Sequence, residues 1–137
     1  MPEQKPYKKR QQYDTPKESP TGKLPPHDTE LEEVVIGSLM LEKDAYMNVA
    51  DILTPDAFYD PVNQKIYEAI STLGFNQRPI DMMTVTEQLR VNGTLQDVGG
   101  AMHLADLTAR VYSAADIGYH AKIISQKYLA RRLITFA

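Results

Sequence analysis

Helix-start signals recur along the chain and leave little room for any architecture but an all-helical one. Thr54-Pro55 and Asp60-Pro61 place a capping residue just before a proline at the first helical position, where its missing N–H costs nothing. Asp28-Thr29, Asp81 and Ser113 also stand as caps, each just before an apolar run. The spacing predicts a helix over 28–41, with Thr29 and Glu32 as a T-x-x-E capping box and Leu31, Val34, Val35, Leu39 and Leu41 on one buried face. Pro25-Pro26 blocks any helix from upstream, so the folded part begins here. Gly37, inside this helix, costs about 1 kcal/mol against alanine, and its presence implies a second backbone passing close by.

Further along, Asp44 is expected to cap a short helix over 45–53 with Tyr46, Val49, Ala50 and Leu53 on one face. The turn opened by Thr54-Pro55 presents Phe58 and Tyr59. The helix opened by Asp60-Pro61 carries Val62, Ile66, Ile70 and Leu73 inward and closes at Gly74 in a left-handed conformation. Residues 75–79 read as a loop. Met82, Val85 and Leu89 mark the next helix, stopped by Asn92-Gly93. Leu95 and Val98 lead to a tight turn at Gly99-Gly100, and Met102, Leu104, Leu107 and Val111 mark another helix.

Ser113 and Asp116 resemble a capping pair for a last helix that runs to Ala137. Ile117, Ala121, Ile124 and Tyr128 lie within about 60° of one another on it. Leu129, Leu133 and Phe136 lie about a third of a turn away, with Ala130 and Ile134 on yet another side. Apolar residues on several faces call for a covering partner, so these three are candidate subunit or partner interface residues. Without a C-cap signal, the sequence is expected to be a piece of a longer protein.

Residues 1–23 are a different material. They hold four prolines and six Lys/Arg against three Asp/Glu, a net +3 that leaves −6 for the rest of a chain whose total is −3. With almost no aliphatic residue they are expected to be a disordered arm. Lys8, Lys9 and Arg10, flanked by Tyr7 and Tyr13, are candidate nucleic-acid contacts, against the plainer reading of a solubilising tail. Gly22-Lys23 is no phosphate loop, since Lys17 stands at the first glycine position and Leu24 replaces the Ser/Thr.

The absence of cysteine excludes disulfides, thiolate metal sites and a cysteine nucleophile. His27, His103 and His120 are dispersed without ligand spacing, no serine lies in a G-x-S-x-G elbow, and Asp81 reads as a cap rather than a catalytic acid. Met40, Met47, Met82, Met83 and Met102 read as core filling by default. The length fits one compact domain, with no apolar run long enough to span a bilayer, which predicts a cytoplasmic protein. Taken alone, the residues predict a helical interaction domain with no catalytic, cofactor or metal site.

One family carries this pattern in the same order. Pro25-Pro26-His27 with Glu30, Glu32, Val35, Gly37 and Leu39; 50–53 (ADIL) followed by Phe58-Tyr59; Pro79-Ile80-Asp81 with Thr84, Glu87 and Leu89; Val98-Gly99-Gly100; and Ser113-Ala114-Ala115 with Ile117, Tyr119 and Ala121 resemble the N-terminal domain of the bacterial replicative DNA helicase, the DnaB family. The resemblance covers about residues 24–137. It implies a compact all-α globule of about six helices over 24–112, then the first arm of a helical hairpin over 113–137. It also implies a collar built as a trimer of dimers within a hexamer, which receives primase and a helicase loader while the parent ring encircles single-stranded DNA. ATP and Mg would belong to a separate C-terminal RecA-like motor, so no ATPase residue transfers to this chain. Tyr112, where the family often has proline, and the loop 74–78 depart from the pattern. A rival reading is a stand-alone helical nucleic-acid-binding or adaptor protein using the basic arm; a third, an enzyme with a degenerate site, has nothing in the sequence to favour it.

Overall fold

A computed structural model describes residues 24–111 and 116–136, without the side chains of Thr135 and Phe136. The described residues form five α-helices and two short 3-10 turns, with no strand among them: α1 (Thr29–Leu41), 3-10 turns Ala45–Asn48 and Pro55–Ala57, α2 (Pro61–Phe75), α3 (Met82–Asn92), α4 (Gly100–Ala109) and α5 (Ile117–Phe136). α1 is the centre of the packing. It lies against α4, α5 and α2, while α3 bridges α2 and α4.

The anticipated cap grammar is realised at most starts. Asp28 accepts the Leu31 amide at 3.0 Å and Asp60 that of Val62 at 2.9 Å. Asp81 and Thr84 close a full capping box, each with its side chain on the other's backbone N–H. Gly93 ends α3 at φ 76, and Gly99 and Gly100 take φ 97 and 74, conformations that disfavour a side chain. The Ser113 cap and residues 1–23 lie outside the described residues.

Gly37 has the close neighbour that its position implies. A Cβ there would sit 2.6 Å from the Leu107 carbonyl oxygen and 2.7 Å from Val111 Cγ2, so the glycine sets how closely α1 and α4 approach. The core is a continuous cluster in which Val35, Ile36, Phe58, Ile66, Tyr67, Ile70, Val85, Leu89, Leu104 and Leu107 are wholly buried.

Several local expectations fail for identifiable reasons. Thr29 and Glu32 make no capping box; Asp28 is the cap, which leaves Glu32 to turn inward. The buried face of α1 is rotated toward Ile36 and Met40, and Leu41 is 53% exposed. Asp44 makes no side-chain cap and is itself left-handed at φ 68; it leads into a short 3-10 turn with Ala50 exposed, not a helix to Leu53. Gly74 does not close α2 but lies within it, where a Cβ would collide with the Tyr46 ring; the left-handed residue is Gln77 at φ 57. Among the described methionines only Met40 is in the core, and Met47, Met83 and Met102 are largely exposed.

Candidate functional site

Two features of the fold are not explained by core packing alone, and both involve α5. The first is a polar junction where the lead-in to α1, the second 3-10 turn, α2 and α5 meet. Glu32 lies on the same helical stripe as Val35, Ile36 and Leu39 and is 1% exposed. Its carboxylate accepts the Tyr59 amide at 2.7 Å, the Asp60 amide at 3.3 Å and Asn63 Nδ2 at 3.1 Å. Two of these donors are the backbone amides just ahead of α2 and the third is a side chain in its first turn, so a buried carboxylate at the start of one helix fixes the entry of the chain into another. Burial raises the Glu32 carboxyl above its ordinary range, and the three donors and the Arg131 charge oppose that rise.

Arg131 closes this junction from α5. Its two guanidinium arms donate to Pro26 O and Ala57 O, both at 2.9 Å, and its Cζ lies 5.3 Å from the Tyr59 ring centroid and 5.7 Å from that of Tyr128. Burial lowers its pKa, while the Glu32 charge pulls the other way. His27 stacks on Tyr59, with ring centroids 3.9 Å apart and planes 13° from parallel, and its Nδ1 lies 2.7 Å from Pro25 O, which requires the proton on that nitrogen.

The second feature is the apolar stripe beyond this junction. Ile117, Ala121 and Ile124 are buried and Tyr128 is packed against the core as their spacing predicts. Leu129 and Leu133 are 56% and 71% exposed, and Ile134 is 41% exposed. The proposed interface side chains thus stand free of the globule, except that of Phe136, which lies outside the described residues, as do Lys8, Lys9 and Arg10.

Sequence reasoning missed the roles of Arg131, Asn63 and Glu32 in this junction. The signal was present for two of them: Glu32 lies three residues before Val35 on the buried stripe, and Arg131 comes three residues after Tyr128 and seven after Ile124. A charged residue in register with an apolar stripe marks a buried polar partner.

Among the described residues no group of three or more His, Cys, Asp or Glu could hold a metal ion. An open cleft of about 610 Å³ beside the start of α5 is lined by Asn48, Ile52, Asp116, Ile117, Tyr119 and Lys122. No described helix is long and apolar enough to cross a membrane.

The described residues thus form a small helical globule with an exposed apolar stripe on its last helix. Residues 24–126 match the DnaB-like helicase N-terminal domain, and the chain belongs to that family. It is 45% identical over 112 residues to the replicative DNA helicase DnaB of Rhodothermus marinus, covering 82% of this chain and 12% of that protein. Against the replicative DNA helicase DnaC of Bacillus subtilis it is 41% identical over 115 residues, covering 84% of this chain and 25% of the relative. The crystal structure of the N-terminal domain of DnaB helicase from Mycobacterium tuberculosis superposes with a TM-score of 0.77 at 40% identity, covering 81% of this chain and 80% of that one. A second structure, of a DnaB-like replicative helicase and its interactions with primase, gives a TM-score of 0.70 at 26% identity, over 79% of this chain and 25% of that one. The chain therefore spans a quarter or less of the length of these curated relatives.

Proposed function

We propose that the chain is the N-terminal collar domain of a replicative, ATP-dependent DNA helicase, supporting ring assembly and primase binding without catalysis of its own. The likeness to an isolated DnaB N-terminal domain over four-fifths of both chains carries this reading. In it, residues 1–23 are a basic arm, 24–112 the globule and 113–137 the first arm of a helical hairpin. The exposed Leu129 and Leu133, with Phe136, face the hairpin's return arm or a neighbouring subunit. Burying each side chain is worth about 1.5–3 kcal/mol, enough together to hold an association between acidic globules.

The parent protein works in the cytoplasm, where six such domains form a trimer of dimers above motor domains that bind ATP and Mg and translocate on single-stranded DNA. Primase docks on the collar, a reading supported by the similar helicase described with primase. A helicase loader delivers the ring. Lys8, Lys9 and Arg10 are the arm's candidate contacts to nucleic acid.

A chimera tests the proposal. Residues 24–137 joined to the hairpin return arm and motor of the Bacillus subtilis relative should assemble into rings whose unwinding is stimulated by that organism's primase. A chimera that folds but behaves like the isolated motor, without rings or stimulation, would overturn it.

A further inference from the structure

The apolar seam that fastens α5 to the globule gives out partway along the helix. Ile117, Ala121 and Ile124 are 6%, 0% and 2% exposed, whereas beyond them Tyr128 is only half-buried and the apolar side chains face outward. From there the contact is continued by Arg131, whose fork spans two separate pieces of chain: Pro26, before α1, and Ala57, in the turn before α2.

The chemistry of this contact differs from that of the core. The two acceptors that its fork bridges are neutral carbonyls, the Tyr59 and Tyr128 rings flank it, and the nearby Glu32 carboxylate already holds three N–H donors of its own. When Arg131 swings out, the guanidinium and both carbonyls regain water, and Glu32 keeps the bonds that join α1 to α2. The hydrogen bonds of the α1–α2 joint therefore do not run through the arginine, although its charge favours the Glu32 carboxylate, while the course of the last turns of α5 depends on it directly.

We infer that Arg131 is a positioning residue, a releasable latch that fixes the direction in which the last turns of α5 leave the globule. The latch gives the domain two states with one folded core: α5 docked along its whole length, or docked to Ile124 and free beyond it. In the docked state it also ties the chain ahead of α1 to α5 through Pro26.

The natural absence of cysteine permits a direct test on the 137-residue chain. Spin labels at Glu68→Cys, on exposed α2, and Leu133→Cys report the direction of α5, and amide hydrogen exchange reports its docking. Arg131→Met keeps most of the apolar stem and removes the fork. It should broaden the label-to-label distance distribution and speed exchange in residues 128–134 by at least about tenfold, the loss of one charge-assisted hydrogen bond. Exchange in α1 and α2 should stay as in the parent chain. Arg131→Lys, which cannot span both carbonyls, should fall between the two. An unchanged distribution and exchange pattern, or acceleration spread equally through α1 and α2, would overturn the latch. Both readouts use the chain alone, so their failure is separate from that of the collar.

Discussion

The Glu32 carboxylate receives the Tyr59 backbone amide at 2.7 Å, across 27 residues of sequence. With the Asp60 amide and Asn63 Nδ2 on its other oxygen, this bond joins the first turn of α1 to the first turn of α2. Glu32→Ala would leave three donors without an acceptor in a dry site. It should destabilise the chain by about 3 kcal/mol or more, measured by urea unfolding. A loss below about 1 kcal/mol would mean that water reaches these amides.

The pH dependence of Glu32 runs against that of an ordinary surface carboxylate. Burial holds its folded-state pKa above the usual 4.5, so between those values the native chain binds the proton more readily than the unfolded one. Its contribution to stability is therefore greatest at low pH and falls as pH rises through the folded pKa. Comparison with Glu32→Gln isolates the effect from the other carboxylates. The difference in unfolding free energy should move in favour of Glu32 as pH is lowered through the folded-state pKa toward 4.5, and stay flat at pH well above the folded-state pKa. A difference that moves the other way would mean that the donors outweigh burial.

At Gly37, helix propensity and packing pull in opposite directions. Alanine would gain about 1 kcal/mol of propensity, yet its methyl would press on the Leu107 carbonyl at 2.6 Å, part of a helix backbone that cannot yield alone. Gly37→Ala should therefore destabilise by a net 1–3 kcal/mol or so in thermal melts. Gly93→Ala meets no neighbouring atom, and its expected cost of about 1–2 kcal/mol comes only from the left-handed backbone at φ 76. If Gly37→Ala proved neutral, α1 and α4 could separate freely, contrary to their packing.

These sites also show what the sequence could and could not disclose. Capping chemistry is local, so Asp60-Pro61 and the Asp81–Thr84 box are legible from a few residues. The stripe Ile117, Ala121, Ile124 and Tyr128 is legible because α5 is long enough for periodicity to be read. Glu32 misleads because a carboxylate in a first helical turn usually serves the helix's own dipole, and only the tertiary fold brings Tyr59 and Asn63 to it. Gly74 misleads for a similar reason: a glycine near a helix end fits both a left-handed stop and a close contact, and the Tyr46 ring that decides between them is distant in sequence. Arg131 is marked by its register with the stripe, but what it holds is not legible, because the carbonyls of Pro26 and Ala57 are backbone groups that leave no mark in the sequence.

The most direct test of the collar is the double change Leu129→Ser and Leu133→Ser, read by native mass spectrometry in a complete helicase carrying this domain and by melting of the 137-residue chain. Both side chains are largely exposed, so the chain alone should unfold within about 0.5 kcal/mol of the parent. In the complete helicase the hexamer should give way to smaller species, and primase stimulation should fall with it. An intact hexamer beside an unfolded isolated chain would contradict the account, because it would place Leu129 and Leu133 in the core rather than at an interface.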